Sequence, residues 1–246
     1  MKYFIGNWKL NPKTVKEAVA LYKSIAKVKK AKDVVVAVCA PLPYLKSLQA
    51  EKIKTVDIGA QNVFYENEGA YTGECGPLML EQFGVKYTLV GHSEVRERGD
   101  TDEIINKKIT AVFKTKITPI LCVGEKTRDD AHWHFHFVKE QLTGALATVP
   151  KKQASSMLIA YEPVWAIGKN AVREATVEEC EEMVIFIRRV LSDLYDTKTA
   201  ESVPILYGGS VSNENARAFL DRGGIQGLLI GRASLDKKAF EKIITL

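Results

Sequence analysis

The chain is poor in the features that would tie it to a redox framework, a membrane or a nucleic acid. Its four cysteines, Cys39, Cys75, Cys122 and Cys180, are far apart and form no C-x-x-C pair. They read as reduced thiols in or beside apolar segments rather than as a disulfide framework. No apolar run approaches the ~18 residues of a membrane span, and Met1-Lys2 leads into a strand pattern without the apolar stretch of a secretory signal. A soluble, cytoplasmic protein is expected, with no membrane partner. Charge of one sign is also scarce: 35 basic against 30 acidic residues leave a net charge of +5. The lysine clusters near Lys27 to Lys32 and at Lys237-Lys238 have no interleaved aromatics, which argues against nucleic acid and leaves a small anionic substrate as the better match. There is no linker-like or low-complexity segment, so one domain over residues 1–246 is expected. There is no G-x-G-x-x-G either, which removes the dinucleotide fingerprint.

What is present is alternation. Short β-branched runs near 3–7, 34–39, 56–60, 87–91, 117–122, 158–162, 203–207 and 225–230 are separated by amphipathic stretches near 14–29, 43–50, 78–84, 101–114, 127–148, 176–195, 212–220 and 234–244. That is eight β-α units. Runs such as Val34–Val38 are apolar almost throughout, as strands covered on both faces must be. A length of 246 residues matches the ~250 typical of an eight-stranded α/β barrel.

Five of these strands end in polar groups: Asn7-Trp8-Lys9, Gly91-His92-Ser93-Glu94, Tyr161-Glu162-Pro163, Tyr207-Gly208-Gly209-Ser210 and Gly231-Arg232-Ala233-Ser234. Parallel α/β folds build their sites at the carboxyl ends of strands. A doubly wound open sheet would scatter these five ends; a closed (β/α)8 barrel gathers them at one mouth, and that is the architecture expected. Glu162 stands out because it precedes a Pro- and Gly-punctuated loop. A carboxylate on a rigid strand end that is dried by a closing loop becomes a stronger proton acceptor. Taken alone, a Glu before a Pro is more often a surface strand cap.

In chain order, Gly6-Asn7-Trp8-Lys9, Gln61-Asn62-Val63, Gly69–Glu74, Gly91–Glu94, Cys122-Val123-Gly124-Glu125, Ala160–Gly168 and Tyr207–Val211 resemble the motifs of the triosephosphate isomerases over nearly the whole chain. The resemblance implies a homodimer of (β/α)8 barrels that interconverts dihydroxyacetone phosphate and glyceraldehyde 3-phosphate through an enediolate, with no cofactor and no metal. It implies Glu162 as the carbon base, His92 as a neutral donor to the substrate oxygens, Lys9 as a fixed positive charge oriented by Glu94, and Asn7 as a neutral donor. The segment from Ser93 to Glu97 lacks helix breakers, and the partial positive charge at the start of a short helix there disfavours imidazolium. Backbone N–H groups at Gly168, Ser210, Gly231 and Arg232 are implied as the phosphate cradle. Ile167 and Leu229 are implied as covers over the base, with Tyr207 in support. The loop Thr72–Gly76 is implied to enter a pocket of the second subunit, although its residues alone would equally suit an exposed turn.

Three residues depart from that pattern: Val95 where an Arg is usual, Gln226 in place of an Asp, and Arg232 in place of a Gly. Arg232 is tolerable if its φ is negative and its guanidinium points outward. The lid between Ile167 and Thr176 is longer than the family's by about two residues, so the hinge is expected at Arg173-Glu174-Ala175, with Ala171-Val172 as the alternative. His132, His134 and His136 have no implied role. On a helix His132 and His136 would share a face, which suits either a metal or a plain surface helix. A different class of function also remains, a catalytically weak barrel that only binds phosphorylated metabolites.

Overall fold

The computed structural model describes residues 1–128, 131–168 and 171–246. Eight strands, β1 (Lys2–Asn7), β2 (Val34–Ala40), β3 (Asp57–Ala60), β4 (Val85–Val90), β5 (Thr118–Val123), β6 (Leu158–Tyr161), β7 (Ile205–Tyr207) and β8 (Gly227–Ile230), run in sequence order round a closed barrel. Every pairing is parallel, and closure is made by β1 on β8, with Phe4 opposite Leu228 and Ile5 opposite Leu229. The expected (β/α)8 architecture is therefore the one observed.

The period of two along each strand divides the core into two layers. Ile5, Ala37, Cys39, Leu89, Ile120, Cys122, Leu158, Ala160, Leu206 and Leu229 fill the barrel interior. Their neighbours, Phe4, Val36, Val38, Leu121, Ile159, Ile205 and Leu228, pack outward beneath the helices. Each such aliphatic side chain contributes roughly 1.5–3 kcal/mol by leaving water, and both faces of the strands are used, which is why their sequences are apolar without alternation.

Side-chain caps start the helices that follow. Thr14 and Glu17 form a reciprocal capping box ahead of Val15–Ala26, and Thr176 and Glu179 form another ahead of Val177–Leu194. The helix expected over 127–148 is shorter, Trp133–Leu146. His132 precedes it with φ 59°, a left-handed conformation that stops helix propagation backwards. Two short helices not anticipated from the sequence, Lys151–Ala154 and Thr197–Ser202, sit in the connections, the second capped by Asp196. Strand β7 starts two residues later than expected, after Pro204, which has no N–H to give to a ladder.

Candidate active site

Closure brings the polar strand ends to one mouth. At the end of β1, Lys9 adopts φ 50°, left-handed and unusual for a lysine. Three elements hold it there. Its N–H donates to Asn7 Oδ1 at 3.0 Å, its carbonyl accepts from Gln61 Nε2 at 2.8 Å, and its ammonium donates to Glu94 Oε1 at 2.6 Å. Burial pushes the Glu94 carboxyl up, but the hydrogen bond and charge of Lys9, with help from Arg98, outweigh it and leave the group below its ordinary value.

His92 follows β4 and caps the short helix Ser93–Arg96, the helix expected from the absence of breakers. Its Nδ1 accepts from the Glu94 N–H at 3.2 Å. A ring nitrogen that accepts a hydrogen bond carries a lone pair, which leaves Nε2 as the nitrogen able to donate. That Nε2 lies 3.1 Å from Glu162 Oε1, and the other Glu162 oxygen accepts from the Ser93 N–H at 3.0 Å. His92 and Glu162 are both buried. Beneath them, burial first and then the Glu162 charge push the Cys122 thiol well up, so it stays neutral. Gly124 is required here because a Cβ would stand 1.7 Å from the Glu162 carbonyl oxygen.

After Glu162 the chain makes a 3-10 turn, Val164–Ala166, anchored on a residue that sequence reasoning assigned no role. Glu125 is buried, and its Oε1 accepts from Trp165 Nε1 at 2.7 Å and from the Tyr161 hydroxyl at 2.9 Å. Desolvation raises its carboxyl despite those two donors. Ile167 is half-buried, and Gly168 is exposed with φ 79°, a conformation that suits glycine. Lys169 and Asn170 lie outside the described residues. Beyond them the Val172 N–H returns to the Trp165 carbonyl at 2.9 Å, and the Arg173 guanidinium stacks on the Trp165 ring at 4.6 Å while pairing with Glu179. Ala175 is buried at the helix start. The held residues thus include Val172 from one of the two hinges expected and Arg173 and Ala175 from the other.

The far side of the mouth comes from β7 and β8. A Cβ on Gly208 would meet Glu162 Cγ at 3.1 Å, and one on Gly231 would meet Lys9 Cε at 3.8 Å, so both glycines border the charged groups. Ser210 Oγ donates to the Ala166 carbonyl at 2.8 Å, tying this rim to the lid. Leu229 is buried beside Gly208, and Tyr207 is buried with no partner for its hydroxyl among the described residues.

A family model described as triosephosphate isomerase matches residues 2–246. The chain belongs to the triosephosphate isomerase family. It interconverts dihydroxyacetone phosphate and glyceraldehyde 3-phosphate, a glycolytic reaction that in this family passes through an enediolate.

Against that family's pattern the three departures find plain accounts. Arg232 is exposed and is not among the described positive-φ residues, as its backbone role would require. Gln226 accepts from Arg188 at 2.9 Å and from the Ile205 N–H at 3.0 Å, so an uncharged amide keeps the contacts of a scaffold carboxylate. Val95 is buried, while the neighbouring Arg96 pairs with Asp102 at 2.6 Å. The histidine segment needs correction: His132 is not helical, His134 is buried, and exposed His136 sits 3.1 Å from Glu140, so His132 and His136 do not form a helical i,i+4 pair. Among the described residues no group of three or more ligating side chains could hold a metal. Gln61, Ser93 and Glu125 were legible only as motif members. All three stand within three residues of a strand end, and that position was the available signal.

Proposed function

We propose that Glu162 is the base of the isomerisation, His92 and Lys9 its electrophiles, and Asn7 a neutral donor beside them. The supporting observation is the pair of His92 contacts, Nδ1 accepting from the Glu94 N–H and Nε2 facing Glu162, with Lys9 fixed nearby by Glu94. Glu162 takes a proton from the carbon next to the carbonyl. The oxyanion that forms is met by the imidazole N–H and the ammonium, and return of the proton to the neighbouring carbon completes the exchange. In the arrangement seen here both Glu162 oxygens are held by His92 and Ser93. Substrate binding frees the carboxylate as the lid closes, with Ile167 and Leu229 covering it and excluding water. Backbone N–H groups of Gly168, Ser210, Gly231 and Arg232 take the phosphate, and lid closure supplies the Tyr207 hydroxyl with the partner it lacks among the described residues.

Shortening the base tests the assignment. Glu162→Asp withdraws the carboxylate by one methylene, and a displacement of about 1 Å lowers the rate on the order of 10²-fold. Solvent-tritium incorporation into the triose should fall in parallel; wild-type-like turnover would sink the role of Glu162.

The unit is further proposed to be a homodimer. A groove of about 550 Å³ beside the site is lined by Asn7, Lys9, Leu10, Leu42, Gln61 and Arg98 among others. Leu10, next to the catalytic lysine, is 93% exposed, and Leu42, Tyr71, Leu78 and Met79 are exposed too. The exposed loop tip Thr72–Glu74 of a second copy suits that groove. Light scattering that finds an active monomer would end this reading. No described helix is long and apolar enough to cross a membrane, and all four cysteines are free, which supports a cytoplasmic setting.

A further inference from the structure

We infer that Gln61 is a positioning residue for the isomerisation, acting through the backbone of Lys9; the inference rests on the role proposed for Lys9 itself. Gln61 follows β3 directly and does not approach Glu162 or His92 by any hydrogen bond seen. Its amide nitrogen instead donates twice, to the Lys9 carbonyl at 2.8 Å and to the Cys39 carbonyl at 3.0 Å. Cys39 is in β2 and paired with Gly59 of β3, and its carbonyl also accepts from the Trp8 N–H at 3.1 Å. One side chain therefore ties the turn after β1 to the ends of β2 and β3.

Lys9 needs such a tie. A left-handed φ is unfavourable for a residue with a Cβ and persists only where the surroundings over-determine it. Asn7 holds the N–H of Lys9 and Glu94 holds its ammonium, but among the described residues only Gln61 holds its carbonyl. Rotation of the Lys9 peptide toward an ordinary conformation would swing the Cα–Cβ bond and carry the ammonium away from the mouth. The chemistry also calls for an amide at this position: two carbonyl oxygens face the side chain, so it must donate. A carboxylate there would repel both, and a thioether would satisfy neither.

The test is a double-mutant cycle on the purified full chain with Gln61→Met, which keeps length and removes the donor, and Lys9→Ala. Affinity for phosphoglycolate is read by calorimetry in all four proteins, alongside kcat/KM. Gln61→Met alone should lower kcat/KM on the order of 10–10²-fold, the range expected for displacement of a charged group by about 1 Å. In the Lys9→Ala background the same substitution should change phosphoglycolate affinity by less than about twofold, since the group it positions is gone. Gln61→Asn, which keeps the donor on a shorter stem, should recover part of the loss. Equal effects of Gln61→Met in both backgrounds, or no effect in the wild type, would overturn the inference and leave Lys9 untouched. If Lys9→Ala itself leaves turnover and affinity intact, it is the reading of Lys9 that fails. Thermal unfolding and light scattering of each variant separate these outcomes from misfolding or loss of a subunit contact, and a Gln61→Met protein with lowered stability but wild-type kcat/KM would likewise refute the positioning role.

Discussion

The two halves of the mouth are built on different principles. On the β1 side, Lys9 is fixed at its N–H, its carbonyl and its ammonium by groups from three separate strand ends. On the β6 side, Glu162 rests on two donors, and the segment after it is held by the Glu125 acceptor, one backbone return at Val172, the Ser210 hydroxyl and an exposed arginine. A charge that meets the developing oxyanion gains from being immobile, because no reorganisation is needed as the reaction proceeds. On the roles proposed for Glu162 and the segment after it, a base that is dried and a lid that admits substrate need contacts that exchange at little net change in free energy. The difference teaches that in this barrel rigidity is allotted by role rather than by distance from the chemistry.

The largest effect is expected at His92, which follows β4 and faces Glu162. His92→Gln keeps a donor but not the imidazole or its helix-capping acceptor, and should lower kcat between roughly 10²- and 10⁴-fold with a much smaller change in KM. A change confined to KM would break the contrast, because His92 would then only bind.

Next comes the lid anchor. Glu125→Ala leaves the Trp165 and Tyr161 donors buried without an acceptor, which destabilises by about 1–3 kcal/mol per orphaned group. Glu125→Gln keeps the accepting oxygen and removes a carboxyl that desolvation already raises, so urea unfolding should place it within about 1 kcal/mol of wild type. Equal losses in the two variants would mean that the charge, not the acceptor, holds the hinge.

A smaller effect should come from Arg173→Ala. Its guanidinium is exposed, and exposed ion pairs and cation–π contacts each contribute about 1 kcal/mol or less. Stability should move by no more than that, while the apparent affinity for phosphoglycolate changes a few-fold as the resting lid loses a latch. An effect as large as that of His92→Gln would make the lid side as rigid as the lysine side.

The smallest is a pH signature of the same latch. The hydrogen bond from Arg173 leads the causes that hold the Glu179 carboxyl down at about 2, against an ordinary value of 4.5. A carboxyl depressed by folding stabilises the protein above its unfolded value, and that contribution is lost as pH falls from about 4.5 toward 2. Arg173→Ala should flatten the acid limb of stability in this window; an unchanged limb would locate the depression elsewhere.

The sequence by itself determined the eight β-α units, the closed barrel, the family and the strand-end residues Asn7, Lys9, His92 and Glu162. It could do so because apolar runs, helix caps and glycine-punctuated strand ends are local patterns, and because a parallel barrel turns each strand end into a place at one mouth. Only the tertiary structure decided that Lys9 is left-handed, that His92 accepts at Nδ1 from the Glu94 N–H, and that Gln61, Ser93 and Glu125 hydrogen-bond the residues around them. Those facts are set by partners distant in sequence: Gln61 is 52 residues from Lys9, Ser93 is 69 from Glu162, and Glu125 is 40 from Trp165. The start of the helix at Trp133 belongs to the same class, since a single left-handed residue ahead of it overrode an amphipathic pattern that ran on through 127–148. Hydrogen bonds between strand ends have no period along the chain, so they become visible only when barrel closure brings those ends within reach of one another.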